Sequence, residues 1–324
     1  MRLIGTGASG IRAQQLALDT VANNLANVNT MGFKSGRPNF AETLAVIVRS
    51  ENAVLPIGAM VPEALSVGSG VAVNGVGTDF NQGNMITTDN VWDLSIQGEG
   101  FFQVALPSGE TAYTRAGSFK LNANGQLVDG QGNFLAVRIP QETTDIAVGA
   151  NGEITGTISG SQRIFGYIGS VGPDGQTPYA PPGPYTVDIS GRLVDGNGTL
   201  SPAMLVVPQE ATGISVGKDG VLTGLIEEKP QVFGQVTLAG FSNPEGLTKI
   251  GDNLFAASVN SGNVQVSLPG QNSGIVYSNF LEQSNVDMAS AMTDLIQAQR
   301  AYQLNSRMVQ DGNEMWGLAN AIRR

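Results

Sequence analysis

The chain is predicted to be α+β, with N- and C-terminal helices packed together as a coiled-coil-like assembly domain and a β-rich middle containing a duplicated β unit. Three observations predict this. Apolar residues recur every seven positions at both ends of the chain. Short β-branched runs separated by Asn-Gly and Asp-Gly pairs fill the middle. A stretch of that middle occurs twice in register. A seven-residue apolar period puts each set on one narrow helical seam, the pattern of a helix that lies along another helix.

The first helix is expected within residues 1–33. Ile4, Ile11, Leu18 and Leu25 recur every seven residues, with Val21 and Val28 three places after the last two. Proline is absent from Leu3 to Val28, and glycine is confined to the first ten residues. Gly32 fits a helix-terminating residue in the left-handed region. Residues 34–70, with Pro38, Pro56 and Pro62, read as an extended or partly helical connector.

Residues 71–283 are expected to form a β-rich outer region. Asn124-Gly125, Asn151-Gly152, Asp174-Gly175, Asp195-Gly196 and Asp219-Gly220 suit tight turns, because Asn or Asp before Gly tolerates the positive φ of hairpins. Strands are expected at 94–96, 101–104, 146–148 and 232–236, and a loop over Tyr179 to Pro184. Gly125 to Gly132 matches Gly191 to Gly198 at an offset of 66, and Pro140 to Gly149 matches Pro208 to Gly217 at 68. The match fades at Ile164-Phe165-Gly166 with Val232-Phe233-Gly234, which gives two similar β units at 119–168 and 185–236.

The last helix is expected within 284–324. Ser284-Asn285-Val286-Asp287 reads as a capping box with Ser284 as acceptor, and a proline-free run follows to Ile322. Met288, Leu295, Tyr302, Val309 and Trp316 form its seven-residue stripe. A helix of about 35 residues spans roughly 50 Å, which calls for a partner along its length.

Composition narrows the chemistry. The 324 residues contain no Cys and no His, so disulfides, thiolate nucleophiles and His-based triads or metal sites are impossible. No apolar run reaches the ~18 residues of a membrane span, and the start lacks the pattern of a cleavable secretory signal. Net charge is −10, and residues 41–281 carry −12 of it against +3 in residues 1–40. That acidic middle reads as a solubilising exterior and argues against nucleic acid or anionic membranes as partners.

Gly68-Ser69-Gly70 and Gly98-Glu99-Gly100 lack phosphate-loop spacing and read as turns. Asp129, Asp174, Asp188, Asp195 and Asp219 could supply paired carboxylates, but most sit beside glycine in turn pairs. The polar residues of the helices tell more. Asn23, Asn24, Asn27 and Asn29 crowd the end of the first helix, and Gln297, Gln299, Gln303 and Asn305 lie in the last. Two readings stand side by side: a solvated face running into a cap, or amides that hydrogen-bond between subunits or line a channel. The apolar stripes are equally open between an intramolecular hairpin and an assembly device.

Three sets of motifs then coincide. Asn23-Asn24-Leu25-Ala26-Asn27-Val28-Asn29-Thr30-Met31-Gly32-Phe33-Lys34 comes first. Gly98 to Val104 and Tyr113-Thr114-Arg115-Ala116-Gly117-Ser118-Phe119 come next, followed by Ser284 to Asp287 and Gln299 to Ser306. In this order they resemble the bacterial flagellar rod and hook family of axial proteins. Connector length near 46–63 and the fit of Phe101 to Phe119 favour a place in the distal rod over the longer hook. Residues 157–224 depart from the pattern, which has one copy of the repeated unit.

The resemblance implies a structural role without catalysis or cofactor. Many copies would stack helically into a hollow drive shaft that transmits torque to the hook for motility. The terminal helices would line its channel and the β domains would lie outside. Export through the flagellar type III apparatus and a location in the basal body follow. Neighbouring proximal rod and hook proteins, and surrounding ring proteins, are the implied partners; no small-molecule substrate is. The expected assembly interface comprises Ile11, Leu18, Val21, Asn24, Leu25, Asn27 and Val28 with Leu295, Gln299, Tyr302, Asn305 and Val309. A proximal rod or hook subunit is the alternative, followed by a β-rich cell-surface adhesin and a carboxylate hydrolase.

Overall fold

The computed structural model describes residues 2–44, 46–49, 65–140, 142–149, 152–158, 160–168, 185–188, 192–194, 200, 201, 203–208 and 210–322. Pro56, Pro62, Asn151, Asp174-Gly175, the loop Tyr179 to Pro184 and Asp195-Gly196 lie outside them. Helices stand at both ends of the chain and strands between them. The chain divides into two compact units, one of residues 1–28, 35–79 and 286–324, the other of 29–34 and 80–285.

The first unit holds helices α1 (Arg2–Ala26) and α2 (Met288–Ile322). The expected connector is neither helical nor merely extended. Its strand Gly36–Glu42 pairs antiparallel with Val71–Thr78, from Gly36 with Thr78 to Glu42 with Val71, with a register shift between Asn39 and Phe40. Val46–Arg49 pairs with Leu65–Val67. Proline at 38 is tolerated because each strand of a two-stranded ribbon keeps a free edge that needs no N–H donor. Val71–Thr78 thus lies with the helices rather than with the outer β region.

Both expected caps move. α1 closes at Ala26 with Asn27 N donating to Asn23 O at 3.1 Å and Val28 N to Leu25 O at 3.3 Å. Gly32 does have positive φ (+69°), but it lies beyond the helix in a turn of the other unit. At α2 the cap is Asp287, not Ser284. Its Oδ1 accepts from Ala289 N at 3.3 Å and its Oδ2 from Ser290 N at 3.1 Å. One carboxylate with two oxygens satisfies two orphan donors and also meets the positive helix end.

The second unit is built of β-strands, with a short 3-10 helix at Pro244–Gly246. Among its described residues the largest sheet runs Thr144–Val148, Glu153–Ile158, Ser161–Ile168, Ala203–Met204, Phe134–Val137, Phe102–Ala105, Thr111–Thr114, Leu254–Ala256 and Thr248–Gly251. Leu94, Phe102, Val104, Phe119, Leu135, Ile154, Phe165, Leu222 and Phe233 are buried in one continuous core. Phe101, Tyr113 and Phe255 centre a second cluster with edge-on Phe80 and Phe241 contacts.

The two stretches that match in sequence have matching registers. Thr144–Val148, Glu153–Ile158 and Ser161–Ile168 form a triplet with bulges at Thr144/Ala147 and Ile154/Thr155. Thr212–Val216, Val221–Ile226 and Lys229–Gln235 repeat those pairings and bulges 68 residues later. The triplets meet at Gly166 and Gly234, whose close approach leaves no room for a Cβ: one on Gly234 would fall 3.0 Å from Phe165 O. Ala203–Met204 pairs with Ser161–Ile168 on one side and Phe134–Val137 on the other.

Candidate assembly site on the terminal helices

α1 and α2 pack antiparallel, since Gly7 faces Val309 while Gly10 faces Asn305. The fit is tight. A Cβ on Gly7 would fall 2.7 Å from Val309 Cγ2, and one on Gly10 would fall 2.8 Å from Asn305 Nδ2. On α1 the residues shown against α2 are Gly7 and Gly10; Ala13, Ala17 and Thr20 are also small and buried, Thr20 beside Gly36 of the ribbon. On α2, Ala291, Ala298, Asn305 and Gly312 recur at every seventh residue, with Asn305 half-buried and the other three buried. Small side chains let two helix axes approach towards the short end of the usual 8–10 Å range.

The bulky stripes therefore flank the seam. Ile11, Leu18, Val21, Leu25 and Val28 are half-buried, as are Leu295 and Val309; Tyr302 and Gln299 are exposed. Of the interface residues read from the sequence, the structure brings Asn305 and Val309 against α1. The buried small-residue seam went unrecognised because Ala and Gly add little to an apolar count. Its signal is the helical spacing of small residues in both segments.

Two of the four asparagines have partners within the chain. Asn24 Nδ2 donates to Gly36 O and its Oδ1 accepts from Gly36 N, both at 2.8 Å, which fixes the ribbon to the end of α1. Asn27 Nδ2 donates to Asn23 O at 2.9 Å. Asn23 and Asn29 are exposed.

Several large apolar side chains of α2 are exposed. Met292, Ile296, Leu304, Met308, Met315 and Leu318 are exposed, Leu304 at 65% and Leu318 at 67%, with the exposed charges of Arg300, Arg307, Asp311 and Glu314 between them. Of these apolar side chains, Met308 borders α1, its Sδ 3.9 Å from the position of a Cβ on Gly7.

Three stretches match family descriptions: residues 4–34 "Flagella basal body rod protein", 95–156 "Flagellar hook protein FlgE/F/G D1 domain", and 277–322 "Flagellar basal body rod FlgEFG protein C-terminal". The flagellar basal-body rod protein FlgG of Caulobacter vibrioides is 34% identical over 327 residues, with 100% of each chain covered. The chain belongs to the flagellar basal-body rod family. It is a structural subunit of the bacterial flagellar rod and resides in the basal body. The FlgG protein of Bacillus subtilis is 30% identical, covering 97% of this rod subunit and 96% of that protein. The flagellar hook protein FlgE of Brucella suis is 28% identical over 406 residues, with 99% of each covered. Among solved structures, Helicobacter pylori flagellar hook protein FlgE2 aligns with a TM-score of 0.34 and 11% identity, covering 61% of this chain and 100% of that one.

Proposed function

We propose that this rod subunit builds the distal rod, a hollow helical drive shaft that carries motor torque to the hook. Many copies would stack through their terminal helices, with the β units outside. The observation that carries this reading is the number of large apolar side chains left exposed on α2, from Met292 to Leu318. Burial of apolar side chains is worth about 25 cal/mol per Å², and a neighbouring subunit would supply the surface that covers them. Ile11, Leu18, Val21, Leu25, Val28, Leu295, Tyr302 and Val309 would contribute apolar contacts at the edges of the same interface. Asn24, Asn27, Gln299 and Asn305 would contribute amides that fix register.

In this reading the subunit leaves the cell through the flagellar type III export apparatus. It contacts proximal rod and hook proteins at the two ends of its stack, and surrounding rings through its β unit. The matched triplets at 144–168 and 212–235 are read as copies of one duplicated β unit, which enlarges the outer surface while leaving the helices as they are. The similarity to FlgE keeps a hook subunit as the second reading.

The test is Leu304→Asp in the full chain, with Val259→Asp, at a fully exposed apolar residue of the β unit, as control. Leu304→Asp is expected to keep the near-ultraviolet signal of the β unit yet abolish incorporation into rods and motility. Val259→Asp should assemble normally. Normal rods from Leu304→Asp would sink the packing role.

A further inference from the structure

Residues 29–34 belong to the β unit although the chain on both sides of them belongs to the helical unit. Local sequence gives no reason for this, so the reason must be tertiary. Lys34 Nζ lies 2.6 Å from Glu282 Oε1 and donates to Asn81 O at 2.7 Å. Gly83 N donates to the same carboxylate oxygen at 2.9 Å. Arg115 Nη1 stands 3.4 Å from Glu282 Oε2, while its Nη2 donates to Gly98 O at 2.8 Å and its guanidinium lies 5.3 Å over the Phe101 ring. The side chains of Lys34 and Glu282 are fully buried and that of Arg115 nearly so.

The backbone joins in. Gly32 N donates to Glu282 O at 2.8 Å, and Asn285 N to Phe33 O at 3.4 Å. Lys249 Nζ donates to Lys34 O at 3.3 Å and sits over the Phe33 ring, and Asn253 Nδ2 donates to Met31 O at 3.1 Å. Residues 31–34 are thus held by groups from segments near 81, 249–253 and 282–285. The four points where the chain passes between units, after residues 28, 34, 79 and 285, are all close in sequence to these groups.

A buried ion pair adds little net stability over an apolar pair, but removing one partner strands the other. Such a group serves specificity: one segment fits the slot and others do not. We infer that Lys34, Glu282 and Arg115 form a clasp that captures residues 29–34 into the β unit. The clasp holds residues 29–34 against the segments near 81 and 282–285 within the β unit. This is a property of the single chain and holds whether or not it assembles into a rod.

The test is amide hydrogen exchange on the full-length monomer. In the unsubstituted chain the amides of Gly32, Gly83 and Asn285 are expected to be protected, each being a donor in the clasp. Glu282→Gln leaves two buried cations without their anion, and should speed exchange at these three amides by about tenfold or more while Val104 and Leu135 keep their rates. Lys34→Met leaves Glu282 beside Arg115, and should speed Gly32 and Asn285 by a smaller factor. The double variant should fall short of the product of the single effects, since the two groups share one interaction. Unprotected Gly32 and Asn285 in the unsubstituted chain would overturn the clasp, as would unchanged rates in both single variants. Loss of protection across the whole β unit in both would overturn it too, because the triad would then be ordinary core.

Discussion

Single residues of the β unit are held by close backbone approach and by burial. Gly32 has φ +69°, and a Cβ there would fall 2.4 Å from Ala116 N, a backbone atom that cannot swing aside. Gly109 has φ +84° with open space around it. Gly109→Ala should therefore cost about 1 kcal/mol, the left-handed penalty alone, and Gly32→Ala about 3 kcal/mol or more. Urea unfolding of the two variants measures the difference. Tyr113 is 2% exposed, and burial raises its phenol pKa above 10.0, with Arg138 and Arg192 opposing. The folded state prefers the neutral phenol. That contribution is complete below the ordinary value and is lost as pH rises through it towards the folded value. Tyr113→Phe keeps the edge-on contact with Phe241 and should flatten the fall in melting temperature between pH ~9 and ~11.

At the scale of elements, the α1–α2 pair is set by what is small. Ala17 and Ala298 are buried where the helices run close, so a larger side chain there must push them apart. Ala298→Leu should destabilise the pair by about 1–3 kcal/mol, whereas Gln297→Leu, at an exposed neighbour, should not. Thermal loss of the 222 nm helical signal in assembled chains compares the two. Caps show how near a sequence reading comes. The segment Ser284 to Asp287 marks the start of α2 in either case, but a capping box and an aspartate cap look alike until the backbone shows which N–H groups are free. The ribbon was harder. Proline at 38 speaks against a strand in isolation, and only the partner Val71–Thr78 makes it one.

At the scale of the whole molecule, two compact units built on different contacts should not melt as one. The β unit has a continuous apolar core, while the helical unit packs its helices through small residues and leaves many apolar side chains of α2 exposed. Denaturant titration of the monomer is expected to remove the 222 nm signal before the near-ultraviolet signal of the β unit. Coincident transitions would count against this. Ala203–Met204 joins Ser161–Ile168 to Phe134–Val137 in the largest sheet, and the two triplets share one apolar core, so residues 80–285 should unfold together.

The sequence by itself determined the helix–β–helix order, the glycine turns and membership of the rod family. Each of these is local: a seven-residue period, a positive φ, a run of motif residues. Tertiary structure alone decided which stripe of each helix is buried. A helix with two candidate stripes cannot rank them until a partner approaches, and here glycine and alanine admit that partner more closely than isoleucine and leucine can. It alone also brought Lys34 to Glu282, 248 residues apart, because a buried charge is recognised only by the opposite charge that the fold delivers to it.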